Sequence, residues 1–129
     1  MTSWADVKRF VHANYKAEDL GDSVLKLLFE TANLRSQIVF IEYASNDEGA
    51  EWLQVNSPIG TVAEVDLSSA AERVGGMLVG GISISDGYVF VTNAVPLQNL
   101  DANEITEPLA RIVNIADKLE NELLGKDAV

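Results

Sequence analysis

The fold is decided by the stretch Gly81-Ile82-Ser83-Ile84-Ser85-Asp86-Gly87-Tyr88-Val89-Phe90-Val91. Apolar and polar side chains alternate strictly before Asp86-Gly87, and a β-branched and aromatic run follows it as far as Val95. Alternation of this kind is typical of half-buried strands. Asp-Gly between two such runs is the strongest short-range signal of a two-residue hairpin turn. The sequence therefore predicts an antiparallel hairpin with strands over 82–85 and 88–95.

A second hairpin is predicted earlier in the chain. Residues 37–45 are rich in β-branched and aromatic side chains, which favour a strand. Asn, Asp, Glu and Gly at 46–49 are turn residues, and 50–57 returns as the partner strand. We expect Pro58 to end that strand, since proline cannot donate to a ladder. The leucine-rich run 23–30 is a further strand candidate.

Three helices complete the pattern. The first begins after Ser3 and carries one apolar stripe to about Asn14. The second is capped by Asp66 or Ser68 and stops at Gly75-Gly76, and the third runs from Asn103 or Thr106 to Leu124, with Gly125 ending it. The order α-β-β-β-α-β-β-α predicts one α+β domain over 1–129, with helices packed on a mainly antiparallel five-stranded sheet.

The predicted turns sort the strand side chains by face. If 46–49 is the turn, Tyr43 lies opposite Trp52, and in the later hairpin Ser83 lies opposite Phe90. The predicted core face then holds Ile38, Phe40, Leu53, Val55, Ile82, Ile84, Val89 and Val91. The other face mixes aromatic residues with Gln, Asn and Ser. The alternative is that helices cover this mixed face too, because mixed sheets are often covered on both sides. A one-residue slip in either register would exchange the two faces.

The mixed face is the candidate binding surface, because protein contact surfaces are enriched in aromatic residues. Its predicted partner-binding residues are Val39, Ile41, Tyr43, Trp52, Tyr88 and Phe90.

The charge of the chain narrows the class of partner. The net charge is −11, and residues 36–110 contain eleven acidic residues and a single basic one, Arg73. Such a surface repels phosphate backbones and anionic lipids, so neither nucleic acid nor a membrane is an expected partner. It attracts cationic partners, although its role in solubility alone is an equal alternative. No signal peptide or membrane-spanning run is evident, and we expect a cytoplasmic protein.

The residues needed for catalysis or metal binding are scarce. The chain has no cysteine, and His12 is its only histidine, so transition-metal sites lack their preferred ligands. The acidic cluster at the turn, formed by Asp47, Glu48 and Glu51, is predicted to be solvated, because it lacks the spacing of acidic residues and glycine in a calcium loop. Glu42 and Glu51 are predicted to share the Phe40 face, without a nucleophile beside them. We therefore predict neither an enzyme nor a cofactor.

The order of elements resembles that of the type III secretion chaperones and the related YbjN-like proteins. The resemblance is strongest in the stretch from Gly81 to Val91, in Ala94-Val95-Pro96-Leu97, and in Ile115-Ala116-Asp117-Lys118-Leu119-Glu120 of the last helix. It implies a small acidic protein without catalysis, often a homodimer, which holds a segment of another polypeptide extended. The family has no universal ligand residues to carry over.

The leading expectation is thus a peptide- or protein-binding module, chaperone-like or regulatory, whose partner is another polypeptide with a cationic or extended segment. Two alternatives stay open at this point. One is a self-associating structural module whose mixed face is a homodimer interface. The other is a small-molecule sensor or a minor enzyme with a pocket between helix and sheet.

Overall fold

The computed structural model describes residues 3–31, 35–76 and 80–124, which contain three helices and six strands. In chain order these are α1 (Trp4–Asn14), β1 (Ala17–Asp19), β2 (Val24–Glu30), β3 (Ser36–Ser45), β4 (Glu51–Thr61), α2 (Leu67–Gly75), β5 (Gly81–Ser85), β6 (Tyr88–Pro96) and α3 (Asn103–Leu124). The predicted α+β class and order are confirmed, with one strand more than expected. Gly125, expected to end α3, lies outside the described residues.

The strands form one antiparallel sheet in the order β1-β2-β3-β4-β6-β5. The prediction of five strands is wrong because β1 was missed. Its residues Ala17, Glu18 and Asp19 pair with Leu27, Lys26 and Leu25. A strand of three mostly polar residues carries no alternation signal, since alternation is only readable over four residues or more. Short, charged strands are typical of sheet edges.

Strand β4 continues through Pro58 to Thr61, so the expected end at Pro58 is also wrong. The pairing of β4 with β6 shifts between Pro58 and Gly60. Bulges are among the few places where a sheet accommodates proline, because the ladder is already interrupted there. The Pro58 carbonyl accepts a hydrogen bond of 2.9 Å from the Gln37 side chain.

Local sequence explains the helix ends. The Ser3 hydroxyl accepts from the Asp6 N–H at 3.1 Å, which caps α1. Asp66 caps α2 by accepting from the N–H groups of Ser68 and Ser69. The hydrogen bond from the Ser69 hydroxyl, helped by these N–H groups, lowers the pKa of the Asp66 carboxyl. α2 ends at Gly75, as predicted.

All three helices pack on the same face of the sheet. α3 lies across β3, β4 and β6, while α2 contacts β5 and α1 contacts β1. The buried core between the layers includes Val7, Val11, Leu25, Leu27, Val39, Ile41, Leu53, Val55, Val89, Val91, Leu109, Ile112, Ala116 and Leu119. Burial of these side chains is the main stabilising term of the fold.

An ion pair also joins α3 to the sheet. Arg35, just before β3, donates to Asp117 with a Nη2–Oδ2 distance of 2.9 Å, and the Thr31 hydroxyl donates to the same carboxylate at 3.1 Å. The side chains of Arg35 and Asp117 are only 21% and 12% exposed. The helix position is therefore set by charge as well as by apolar packing.

Candidate functional site

The face of the sheet opposite the helices is the candidate site, and we call it the open face. Strand side chains alternate between faces, so the neighbours of the buried core residues point away from the helices. In β2, β3, β4 and β6 these are Val24, Lys26, Leu28, Ile38, Phe40, Glu42, Trp52, Gln54, Asn56, Tyr88, Phe90 and Thr92. None of the helices within the described residues packs on this face.

A shallow depression of about 480 Å³ lies in the middle of the open face, and we call it the central concavity. Every strand except β1 contributes to it, so it runs across the sheet. Its lining consists of Leu20, Val24, Phe40, Glu42, Gln54, Asn56, Ser83, Ile84, Ser85, Phe90 and Thr92. Apolar side chains and uncharged hydrogen-bonding groups thus alternate over one continuous surface.

Two smaller depressions flank it. One of about 360 Å³ lies over β1, β2 and β3 and is lined by Lys16, Ala17, Glu18, Lys26, Leu28 and Ile38. The other, of about 420 Å³, lies beside the β3–β4 turn and is lined by Gly49, Ala50, Glu51, Trp52, Pro96 and Gln98. The three depressions lie along β1 to β6 and the β3–β4 turn.

The aromatic groups of the open face are ordered by strand pairing. Phe40 and Phe90 meet edge to face, with ring centroids 6.4 Å apart. Asn56, the cross-strand partner of Phe40, accepts a hydrogen bond from Thr92 on β6. Trp52 is 36% exposed, at the end of β4 away from Phe90. Edge-to-face contact is one of the arrangements that aromatic pairs prefer, so Phe40 and Phe90 form one aromatic cluster on this face.

Glu42 is the only charged side chain that lines the central concavity within the described residues. It is half-buried, and its cross-strand neighbours are Val24 and Gln54. The nearest cation along β2, Lys26, pairs instead with Glu18, at 3.7 Å between Nζ and Oε1. Across residues 3–31, 35–76 and 80–124, the Glu42 carboxylate has neither an ion pair nor a hydrogen bond.

Three of the predicted contact residues, Trp52, Tyr88 and Phe90, lie on the open face. The pairing predicted for the later hairpin is confirmed, with Ser85 opposite Tyr88 and Ser83 opposite Phe90.

The other three, Val39, Ile41 and Tyr43, lie on the helix-covered face, so the predicted pairing of β3 with β4 is wrong by one residue. Tyr43 pairs with Leu53 where Trp52 was expected. Val39 and Ile41 are fully buried in the core. The cause is the length of the turn, which spans the five residues 46–50 where four were assumed. Because strand side chains alternate, a shift of one residue moves every side chain of the strand to the other face.

Tyr43 has a structural environment on the covered face. Its ring stacks on Trp4 with centroids 5.8 Å apart. Its hydroxyl donates to the Glu51 carboxylate at 2.5 Å. This hydrogen bond raises the pKa of Tyr43, and burial and the Glu51 charge act in the same direction.

The same shift explains which open-face residues were missed. Ile38 and Phe40 were assigned to the core, and the structure places both on the open face, where Phe40 contacts Phe90. Glu42 follows them there, while Glu51 lies on the covered face with Tyr43. The expectation that Glu42 and Glu51 share a face is therefore wrong. The register differs because the turn contains one residue more, Ala50, than was assumed.

Elsewhere, His12 on α1 pairs with Asp19 of β1, at 2.7 Å between Nε2 and Oδ1, and both side chains are exposed. In the described part of the chain, no group of three or more His, Cys, Asp or Glu side chains is placed to hold a metal ion. No described helix has both the length and the apolar character that crossing a membrane requires.

No protein-family model and no curated protein matches this sequence. The resemblance to type III secretion chaperones and YbjN-like proteins therefore stays a prediction.

Proposed function

We propose that this chain is a non-catalytic, cytoplasmic module that binds a segment of another polypeptide on the open face, in a chaperone-like or regulatory role. The observation that carries the proposal is the open face itself. It is one whole side of a six-stranded sheet without a helix on it in the described residues, and it bears Phe40, Trp52 and Phe90. Aromatic side chains set among uncharged polar groups are typical of protein contact surfaces.

The chemistry of the face supports a polypeptide as the occupant. Phe40 and Phe90 offer apolar contact area, and Gln54 and Asn56 beside them offer amide groups that both donate and accept. A polypeptide presents the same two components, apolar side chains and backbone amides. The length of the surface across several strands also matches an extended segment better than a compact ligand.

The proposal is tested by identifying and then titrating the partner. Native mass spectrometry of the protein from its own host identifies a bound segment, which is then synthesised and titrated calorimetrically. We expect Trp52→Ala and Phe90→Ala each to weaken binding about tenfold, or about 1.4 kcal/mol, as the loss of an aromatic contact at an interface does. Leu67→Ala is the matched control, because Leu67 on α2 is also 36% exposed but lies on the helical side.

Unchanged affinity in folded Trp52→Ala and Phe90→Ala variants would reject the open face as the binding surface. Equal weakening in all three variants would point to a general loss of stability. Sedimentation of the protein alone addresses self-association. A tight dimer that Trp52→Ala dissociates would make the open face a homodimer interface instead.

A further inference from the structure

Glu42 places in the central concavity a carboxylate that has no ionic or hydrogen-bonding partner among the described residues. Its side chain is half-buried in the central concavity, with the apolar Val24 and the neutral Gln54 as cross-strand neighbours. Within the described residues no cation or hydrogen-bond donor reaches its carboxylate. Partial removal of a carboxylate from water costs free energy unless a partner compensates it. The concavity therefore offers one uncompensated negative charge to an occupant.

The walls around Glu42 suit the stem of a long basic side chain. Phe40 and Phe90 form an aromatic pair in the same concavity. Lys and Arg place their methylene chains along apolar surface and keep the charged head free for an acceptor. Aromatic rings also attract cations. Lys26 does not fill this role internally, because it pairs with Glu18.

Resting on the function proposed above, we propose that the polypeptide segment presents a Lys or Arg side chain to Glu42 between apolar residues that rest on Phe40 and Phe90. Charge complementarity selects this occupant over a second copy of the chain. Each copy carries a net charge of −11, and residues 36–110, which include most of the open face, hold a single basic residue. A basic amphipathic segment is attracted by that field, and Glu42 gives it one defined contact.

The test uses three short synthetic peptides with blocked ends, in which Leu alternates with Lys, with Gln or with Glu. Each is titrated calorimetrically against the wild-type protein and against Glu42→Gln, Glu42→Asp and Glu72→Gln. Glu72→Gln is the matched control, because it removes the same charge from an exposed position on α2. Thermal melts confirm that each variant is folded.

We expect the Leu-Lys peptide to bind the wild type more tightly than the Leu-Gln and Leu-Glu peptides. Glu42→Gln should weaken it about fivefold, which corresponds to about 1 kcal/mol. It should also reduce the dependence of the affinity on salt. Glu42→Asp keeps the charge but shortens the side chain. Its affinity for the Leu-Lys peptide should therefore lie between those of the wild type and Glu42→Gln. Glu72→Gln should change the affinity by less than about twofold, as remote exposed charges do.

The outcomes separate this inference from the function on which it rests. Equal weakening by Glu42→Gln and Glu72→Gln would overturn the role of Glu42 and leave only general attraction. A second outcome is that the Leu-Gln peptide binds as tightly as the Leu-Lys peptide while Phe90→Ala weakens the binding of both. That result would overturn the requirement for a basic side chain and would keep the open face as the binding surface. If none of the peptides responds to Trp52→Ala or Phe90→Ala, both proposals fail.

Discussion

At the scale of single residues, the ion pair between Asp117 and Arg35 is the polar contact whose loss should be most costly. The Asp117 carboxylate accepts from Arg35 at 2.9 Å and from Thr31 at 3.1 Å, and both ionic side chains are mostly buried. Asp117→Asn keeps the shape but leaves the Arg35 charge uncompensated, so we expect the free energy of unfolding to fall by about 3 kcal/mol. Urea denaturation measures this directly.

The control is the exposed pair between Arg111 and Glu107 on the same helix, at 3.8 Å. Glu107→Gln should cost less than about 0.5 kcal/mol, because exposed pairs are screened by water. A loss for Asp117→Asn no larger than that for Glu107→Gln would contradict a structural role for the buried pair. Asp117 was not singled out for this role from the sequence, because its partners lie more than eighty residues away in the chain.

At the scale of elements, the two hairpins show why one register was predictable and the other was not. Asp86 and Gly87 both have positive φ, 50° and 80°, which is what a two-residue turn with the twist of its strands requires. The turn at 46–50 carries no such fixed signature. There the Asn46 side chain accepts from the N–H groups of Glu48 and Ala50, at 3.0 and 2.9 Å. These bonds add the fifth residue, and no pattern in the sequence announces them.

Gly49 is the backbone position on which this longer turn depends. Its φ is +81°, a region that costs a residue with a side chain about 1–2 kcal/mol. We expect Gly49→Ala to lower the free energy of unfolding by about that amount. Gly75→Ala is the control: an added methyl group also meets open space there, but α2 accepts Ala readily. It should be neutral or stabilising by up to about 1 kcal/mol. If Gly49→Ala and Gly75→Ala change the free energy of unfolding equally, in thermal or urea unfolding, the turn geometry is refuted.

At the scale of the whole molecule, the sequence predicted the layers better than the site. Periodic stripes, β-branched runs and the turn or cap residues that bound each segment identified all three helices and five of six strands. Val39 and Ile41 were assigned to the wrong face, because the face on which a side chain lies changes when the strand pairing shifts by one turn residue. Glu42 had no signal of its own, since its unpaired state follows from its cross-strand neighbours. Trp52, Tyr88 and Phe90 were placed correctly on the mixed face.

In a fold with helices on one face of the sheet only, side chains of the covered face should contribute far more to the free energy of unfolding than those of the open face. Two adjacent leucines of β2 test this. Leu27 is fully buried, whereas Leu28 is 40% exposed on the open face. Leu27→Ala should cost about 3 kcal/mol in urea unfolding, because it leaves a cavity. Leu28→Ala should cost less than about 1 kcal/mol, because water already reaches its site.

The free energy of unfolding lost in Leu28→Ala shows whether the open face is covered in solution. If Leu28→Ala costs as much as Leu27→Ala, the side chain is buried in solution, and a second copy must cover the open face, since dimerisation adds its free energy to that of folding. That cost would then decrease as the protein is diluted. A small, concentration-independent cost means that the open face is exposed to water in the free protein. Its apolar area is then available to a polypeptide partner, and the cost of displacing a second copy does not oppose binding.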